Sequence, residues 1–335
     1  MMIVRGFVGI MVGAALLVGC GGSGESTEGG SELSGTIRID GSSTVYPITE
    51  AVAEEFGKTQ PRIRVTVARS GTGGGFKKFD TGETDMNNAS RPITPAEAAT
   101  ARSNGIDFIE LPIAYDGLSI LVNPKNDFVA HMTVEELRKT WEPNSTVKKW
   151  SDIRAGWPDR EVKLYGPGPD SGTFDYFTEA IVGKARSCRA DYTASEDDNT
   201  LVMGIAGDIN ALGFFGFAYY EANIDKLKLV PVDGGKGPVL PSPATIMDGT
   251  YSPLSRPVFI YLTRASADRP EVRAFVEFYM NNAGELSREV GYIALPEKGY
   301  ELAKARFAAN RTGSVFEGKE HTVGITIEEL LAAEN

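Results

Sequence analysis

The sequence predicts an α/β protein of two lobes with a ligand cleft between them. Three observations carry that reading. Strand-like runs end repeatedly in Gly/Ser-rich turns that lead into helical patterns, the strand–loop–helix order of α/β folds. Two apolar runs, Leu111 to Asn123 and Pro257 to Leu262, read as crossings between lobes, with one continuous insertion between them. Three loops, 41–47, 70–75 and 170–173, set small hydroxyl residues and backbone N–H groups just ahead of helices. A helix start leaves unpaired N–H donors and carries the positive end of the helix dipole, so three aimed at one point would cage a small oxyanion.

Taken in order, residues 1–19 stand outside the fold. Arg5 gives a basic start, and Gly6 to Gly19 is apolar but too short to span a membrane. Leu17-Val18-Gly19-Cys20 resembles a bacterial lipobox, which implies cleavage before Cys20, a lipid on its thiol and export to the periplasm or cell surface. Residues 20–32 then form a flexible tether, with Gly21 to Ser31 built of Gly, Ser, Thr and Glu. Ile37 to Asp40 alternates as a strand and feeds the first loop. Pro47 suits a first helical position, and Ile48, Ala51, Val52 and Phe56 follow at helical spacing. Ile63 to Ala68 is a β-branched strand running into the second loop, with Phe76 and Phe79 opening the next helix. Thr94-Pro95-Ala96-Glu97 is a capping box with proline at N1, and Thr133-Val134-Glu135-Glu136 repeats the signature. Phe174, Phe177 and Ile181 form a stripe behind the third loop. The lobes expected are 33–113 plus 258–335, and 116–255. Clefts at the carboxyl ends of strands are where such folds hold ligands.

Composition narrows the partner. At 335 residues, 41% hydrophobic and 24% charged, the chain is of the soluble globular class. Its net charge of −11 argues against nucleic acid or an acidic membrane surface. An anion would therefore have to be held by local dipoles. Beyond Cys20 only Cys188 remains, so no internal disulfide is expected and the core must hold the fold. With two histidines, His131 and His321, and no metal-spaced cluster, neither a metal nor a cofactor is expected.

Any one of the three loops is explained by helix capping. Together they bring Ser43, Thr44, Ser70, Thr72, Ser171 and Thr173 as uncharged donors, with backbone N–H groups of Thr44, Val45, Gly172 and Thr173. Arg91, in Asn88-Ala89-Ser90-Arg91-Pro92-Ile93, can fork onto two oxygens of a tetrahedral anion. Asp197 to Thr200 reads as a helix cap. The run Phe214, Phe215, Phe217, Tyr219, Tyr220 and the tryptophans 141, 150 and 157 read as packing.

These segments resemble the substrate-binding protein of bacterial phosphate ABC importers, the PstS family. The likeness covers nearly all of the chain after its leader. It runs through Tyr46-Pro47, the Gly-rich loop with Phe76-Lys77, Asp85 to Ile93, Gly117 to Asn123, Ser171-Gly172-Thr173 and Tyr251 to Pro257. It implies the type II periplasmic-binding-protein fold, with phosphate held by Thr44 and Val45, Ser43 beside them, Thr72 with Ser70 as the weaker candidate, and Ser171, Gly172 and Thr173. It also implies delivery to a membrane permease and its ATPase by closure of the lobes. Many members carry an aspartate where Arg91 stands, accepting the ligand's proton, and an arginine where Pro167 stands. The resemblance thus leaves Arg91 to supply the charge and Asp170, or else Asp116, to accept the proton.

The leading expectation is an anion-binding protein without chemistry of its own, monomeric and lipid-anchored. Sulfate, molybdate or a sensing role are the alternatives. A phosphatase ranks last, since there is no Gly-x-Ser-x-Gly elbow, no H-E-x-x-H and no Gly-Lys-Ser/Thr ending on the Gly-rich loop.

Overall fold

Alternating apolar residues build the first strand, β1 (Gly35–Gly41), with Ile37 and Ile39 buried. The computed structural model describes residues 33–169, 171–195, 197–317 and 326–333. Cys20 and its lipobox, the 20–32 tether, Asp170 and His321 lie outside the described residues. β1 pairs in parallel with β2 (Ile63–Val67) and β3 (Met86–Ala89). Between them run helices α1 (Tyr46–Thr59) and α2 (Thr72–Phe79). Pro47 sits in the first turn of α1, whose Ile48, Val52 and Phe56 face inward. Helix α3 (Pro95–Ser103) starts with the expected capping box of Thr94 and Glu97.

The apolar run near 111–123 is one strand, β4 (Phe108–Val122), buried along all 15 residues. Helix α4 (Val134–Trp141) carries the second capping box. There follow β5 (Lys163–Pro167), α5 (Gly172–Phe177), which continues as a wider π turn over Thr178–Val182, and β6 (Thr193–Ser195). The chain then forms α6 (Asp198–Gly207), β7 (Ala211–Gly216), β8 (Lys228–Leu229), β9 (Ser255–Thr263), α7 (Pro270–Glu289) and β10 (Ile293–Ala294).

The ten strands form one sheet in the order β2-β1-β3-β9-β4-β7-β5-β6, with β8 and β10 also on β4. β4 serves both halves. Its residues from Phe108 to Gly117 pair antiparallel with β9, and Leu118 to Val122 pair antiparallel with β7. Of the aromatic residues read as packing, Trp141 lies edge-on to Phe177 and Phe214, and Trp150 and Trp157 close on Phe128, whereas Tyr219 is exposed instead. Asp197 caps α6 through the Asn199 N–H. Cys188 is unpaired and half-buried.

Asp80, at the end of α2, is 4% exposed and its Oδ1 has no hydrogen-bond partner. Burial, then the Glu97 charge, pushes its carboxyl up to about 6. The folded state therefore binds the Asp80 proton more tightly than the unfolded chain, and stability falls as pH rises through roughly 4 to 6. At pH 7 the whole cost is present. Asp80→Asn is expected to stabilise by about 1–2 kcal/mol there, after discounting for solvent screening. The gain should vanish near pH 4, as denaturant titrations at both pH values would read; an equal gain at both would contradict this account.

Candidate functional site

The first two loops leave the carboxyl ends of β1 and β2, and Asp40 ties them together. Its Oδ1 accepts the N–H of Gly41 at 2.7 Å and of Ser70 at 2.9 Å, while Oδ2 pairs with Lys78. Burial works to raise the Asp40 carboxyl, but these bonds outweigh it and leave it below the usual range. The Ser70 hydroxyl beside it also helps hold the Asp40 carboxyl down. Glycine is required at 75, where a Cβ would run into Asn87 Oδ1 and the Gly41 backbone. Thr72 Oγ1 accepts the Ser90 N–H at 3.1 Å and lies 3.0 Å from Ser90 Oγ. Two hydroxyls thus stand together with one proton still to offer.

Arg91 follows directly. Its loop is pinned by Ile93, whose N–H donates to the Tyr261 hydroxyl at 2.8 Å, and Tyr261 in turn donates to buried Glu110. The guanidinium is not free as the sequence suggested. Nη1 and Nη2 each lie 2.8 Å from an oxygen of Glu97. Burial would raise the Glu97 carboxyl, but hydrogen bonds from Arg91 and Thr94 hold it below its ordinary value.

The third loop meets the first across the sheet. Thr44 Oγ1 donates to the Gly172 carbonyl at 3.2 Å, and Ser43 Oγ donates to Asp175 Oδ2 at 2.8 Å. Arg186 steadies Asp175 from the far side at 3.0 Å. Ser171 accepts the Thr173 N–H at 3.2 Å, which makes it the cap of α5. Tyr292 donates to the Thr44 carbonyl.

One residue was missed by the sequence reading, in which Tyr251 to Pro257 stands as the return to the first lobe or a hinge rather than as part of the site. Arg256, on β9, lies flat over the Tyr176 ring at 3.3 Å and donates from Nη2 to Thr44 Oγ1 at 3.1 Å. Asp116 stands 3.6 Å from its Nε and Glu179 3.8 Å from Nη1. Burial raises the Asp116 carboxyl, with Arg256 pulling it back. The Ser-Arg-Pro at 255–257 repeats the Ser-Arg-Pro at 90–92, a signal that could have found it.

Two polar cavities result. One, of about 240 Å³, is lined by Ser43, Thr44, residues 70–74, Ser90, Arg91, Asp175, Tyr176, Glu179 and Arg256. Its neighbour, of about 440 Å³, is lined by Ser43, Ser171, Gly172 and Thr173, and by Arg69 against Asp116, Asp198 and Glu289. So the structure joins Ser43, Thr44, Ser70, Thr72 and Arg91 at one cavity, and places Ser171, Gly172, Thr173 and Asp116 on the other. Val45 is fully buried and lines neither. Among the described residues no His/Cys/Asp/Glu group could hold a metal, and no helix is long and apolar enough to cross a membrane.

Proteins similar to this chain in sequence and fold are numerous. Residues 26–283 match the model of a PBP superfamily domain. Protein SphX of Synechocystis sp. is 50% identical over 304 residues, 90% of each chain. The phosphate-binding protein PstS of Staphylococcus saprophyticus is 40% identical over 292 residues, 86% of this chain and 89% of that one. A crystal structure described as a possible phosphate binding protein from Planctomyces limnophilus superposes with a TM-score of 0.81 at 51% identity, over 83% of this chain and 99% of that one. The mixed sheet is that of type II periplasmic binding proteins, and with likeness of this depth along nearly its whole length, this chain belongs to the PstS/SphX family of the PBP superfamily.

Proposed function

We propose that the chain binds inorganic phosphate outside the cytoplasmic membrane and delivers it to an ABC importer by closing two lobes, 33–113 plus 258–335 against 116–255. The observation that carries this is the 240 Å³ cavity, where two arginines stand among Ser43, Thr44, Thr72 and Ser90. Its donors suit a small tetrahedral oxyanion because two arginines balance the Asp175 and Glu179 carboxylates that also line it, whereas the neighbouring cavity sets three carboxylates against one arginine and repels one. Arg91 and Arg256 supply charge-assisted bonds, and the Thr72–Ser90 pair supplies a neutral one. On anion entry the Ser43 and Thr44 hydroxyls turn their protons from Asp175 and Gly172 to the ligand. Ser171, Gly172 and Thr173 seat Thr44 from behind. Asp116 serves Arg256 as counter-ion rather than accepting a ligand proton.

The family is one of transporter substrate-binding proteins, not enzymes, and works outside the cytoplasm. In this reading Cys20 carries the lipid that tethers a monomer at the membrane, where a permease and its ATPase take up the ligand. Calorimetric titration of the anion-stripped protein should give phosphate a Kd of about 1 μM or tighter, roughly −8 kcal/mol. Arg91→Ala should weaken it at least about tenfold. Absence of phosphate binding would sink the reading, and equal or tighter sulfate or molybdate binding would assign the site to another oxyanion.

A further inference from the structure

The Arg91–Glu97 pair fits poorly with a simple picture of an arginine waiting for an anion. A carboxylate beside an anion site should weaken binding by its charge alone. Yet Glu97 is anchored in place: its Oε2 also accepts the Thr94 N–H at 2.9 Å and the Thr94 hydroxyl at 2.8 Å. It sits in the first turn of α3, where the helix dipole favours a negative charge.

The donor count shows what this fixed carboxylate does to Arg91. A guanidinium has five N–H groups. Nη1 gives one to Glu97 Oε2 and one to the Pro92 carbonyl at 3.1 Å, and Nη2 gives one to Glu97 Oε1. What remains is the Nε–H and the second Nη2–H. These two lie along one edge of the guanidinium plane and form its other fork. Nη2 stands beside Gly73, which lines the cavity. Glu97 thus takes the end of the guanidinium and leaves the edge fork as the part that can still grip two oxygens.

We propose that Glu97 is a positioning residue, which fixes Arg91 so that its Nε/Nη2 edge is presented to the anion in the 240 Å³ cavity. The inference rests on that cavity being the phosphate site. A long arginine side chain left unpaired samples many rotamers, and ordering it on binding costs affinity. Glu97 removes that cost in advance. Its negative charge lowers the attraction, and the pre-set geometry outweighs the loss.

The two effects predict opposite signs for Glu97→Gln, which removes the charge and half of the bidentate clamp while keeping an oxygen for the Thr94 cap. Positioning predicts that phosphate binds about tenfold more weakly to E97Q; charge alone predicts tighter binding. The effect should disappear when E97Q is made in the Arg91→Ala background. Ala101→Gly in α3, which weakens the same helix without touching the pair, should lower Tm and leave phosphate affinity unchanged. Unchanged or tighter binding by E97Q, the same loss in A101G, or additivity with R91A would each overturn the proposal. A ligand-free readout separates it from failure of the phosphate site. The Arg91 Nε–H NMR signal, assigned by its loss in R91A, should be dispersed in the parent protein and collapse to the free-arginine position in E97Q. If it does not move, Glu97 does not position Arg91, whatever the protein binds.

Discussion

Arg256→Ala is expected to lower phosphate affinity about 100-fold and to destabilise the fold as well. A lost charge-assisted hydrogen bond is worth about 1.5–3 kcal/mol, or roughly 10- to 150-fold in Kd. The upper end applies, because the guanidinium side chain is only 14% exposed and its plane is already fixed on the Tyr176 ring. The stability loss has a separate origin. Asp116 is 7% exposed, and Arg256 is the cation beside it. Without Arg256 a buried carboxylate is left uncompensated, at a cost of about 3–5 kcal/mol. Burial already raises the Asp116 carboxyl, and removing Arg256 raises it further. A raised carboxyl costs stability above its folded-state value and none below its unfolded one, so the deficit should grow as pH rises and fade on acidification. Thermal unfolding of the variant across pH 4 to 8 would read this. A pH-independent deficit would contradict it. Arg256→Lys should keep much of the stability while losing affinity, since an ammonium can neither lie flat on Tyr176 nor bridge to Thr44 and the ligand together.

Gly172→Ala should be the second severe change, with a different signature. A Cβ at 172 would stand 2.5 Å from Thr44 Cα, 2.6 Å from Thr44 N and 2.8 Å from Ser43 C, all backbone atoms. Since backbone cannot swing aside, the first and third loops must separate. Overpacking of this kind costs about 1–3 kcal/mol of stability, and parting the loops also shifts the Ser43 and Thr44 hydroxyls that line the cavity. Alanine suits a helix better than glycine, so α5 itself gains up to about 1 kcal/mol. The combination expected is a lowered Tm together with a markedly weaker phosphate isotherm. A normal isotherm would mean that the Thr44–Gly172 contact is not part of the bound state.

The sequence was informative where local chemistry decides the outcome. Capping boxes at Thr94 and Thr133 open helices as predicted, because the signature satisfies the orphan N–H groups within three residues. The apolar run at 111–123 is a strand buried on both faces, which erases the polar alternation that marks a half-exposed one. Ser43, Thr44, Thr72 and Arg91 do converge on a cavity, since each follows a strand end or a tight turn that the glycines announce. What stayed hidden depends on distant pairings. Arg256 comes more than 160 residues after Arg91 in the chain and reaches Thr44 only because β9 inserts beside β4. Glu97 was visible as a capping residue, but nothing local announced its grip on Arg91. The Ser70 hydroxyl beside Asp40 and the Ser171 hydroxyl that caps a helix look identical in sequence to hydroxyls aimed at a ligand. Only the positions of Asp40 and of the Thr173 N–H distinguish them.

The place of β9 in the sheet also bears on when this protein can fold. β9 lies between β3 and β4, yet its residues, Ser255–Thr263, leave the ribosome after three quarters of the chain. Until then the inner edge of β3 and the long edge of β4 both lack the strand that joins them in the finished sheet. A strand arriving this late makes the sheet a product of long-range contacts, which form slowly because distant segments must first find each other. An emerging chain thus stays short of its native sheet for most of its synthesis.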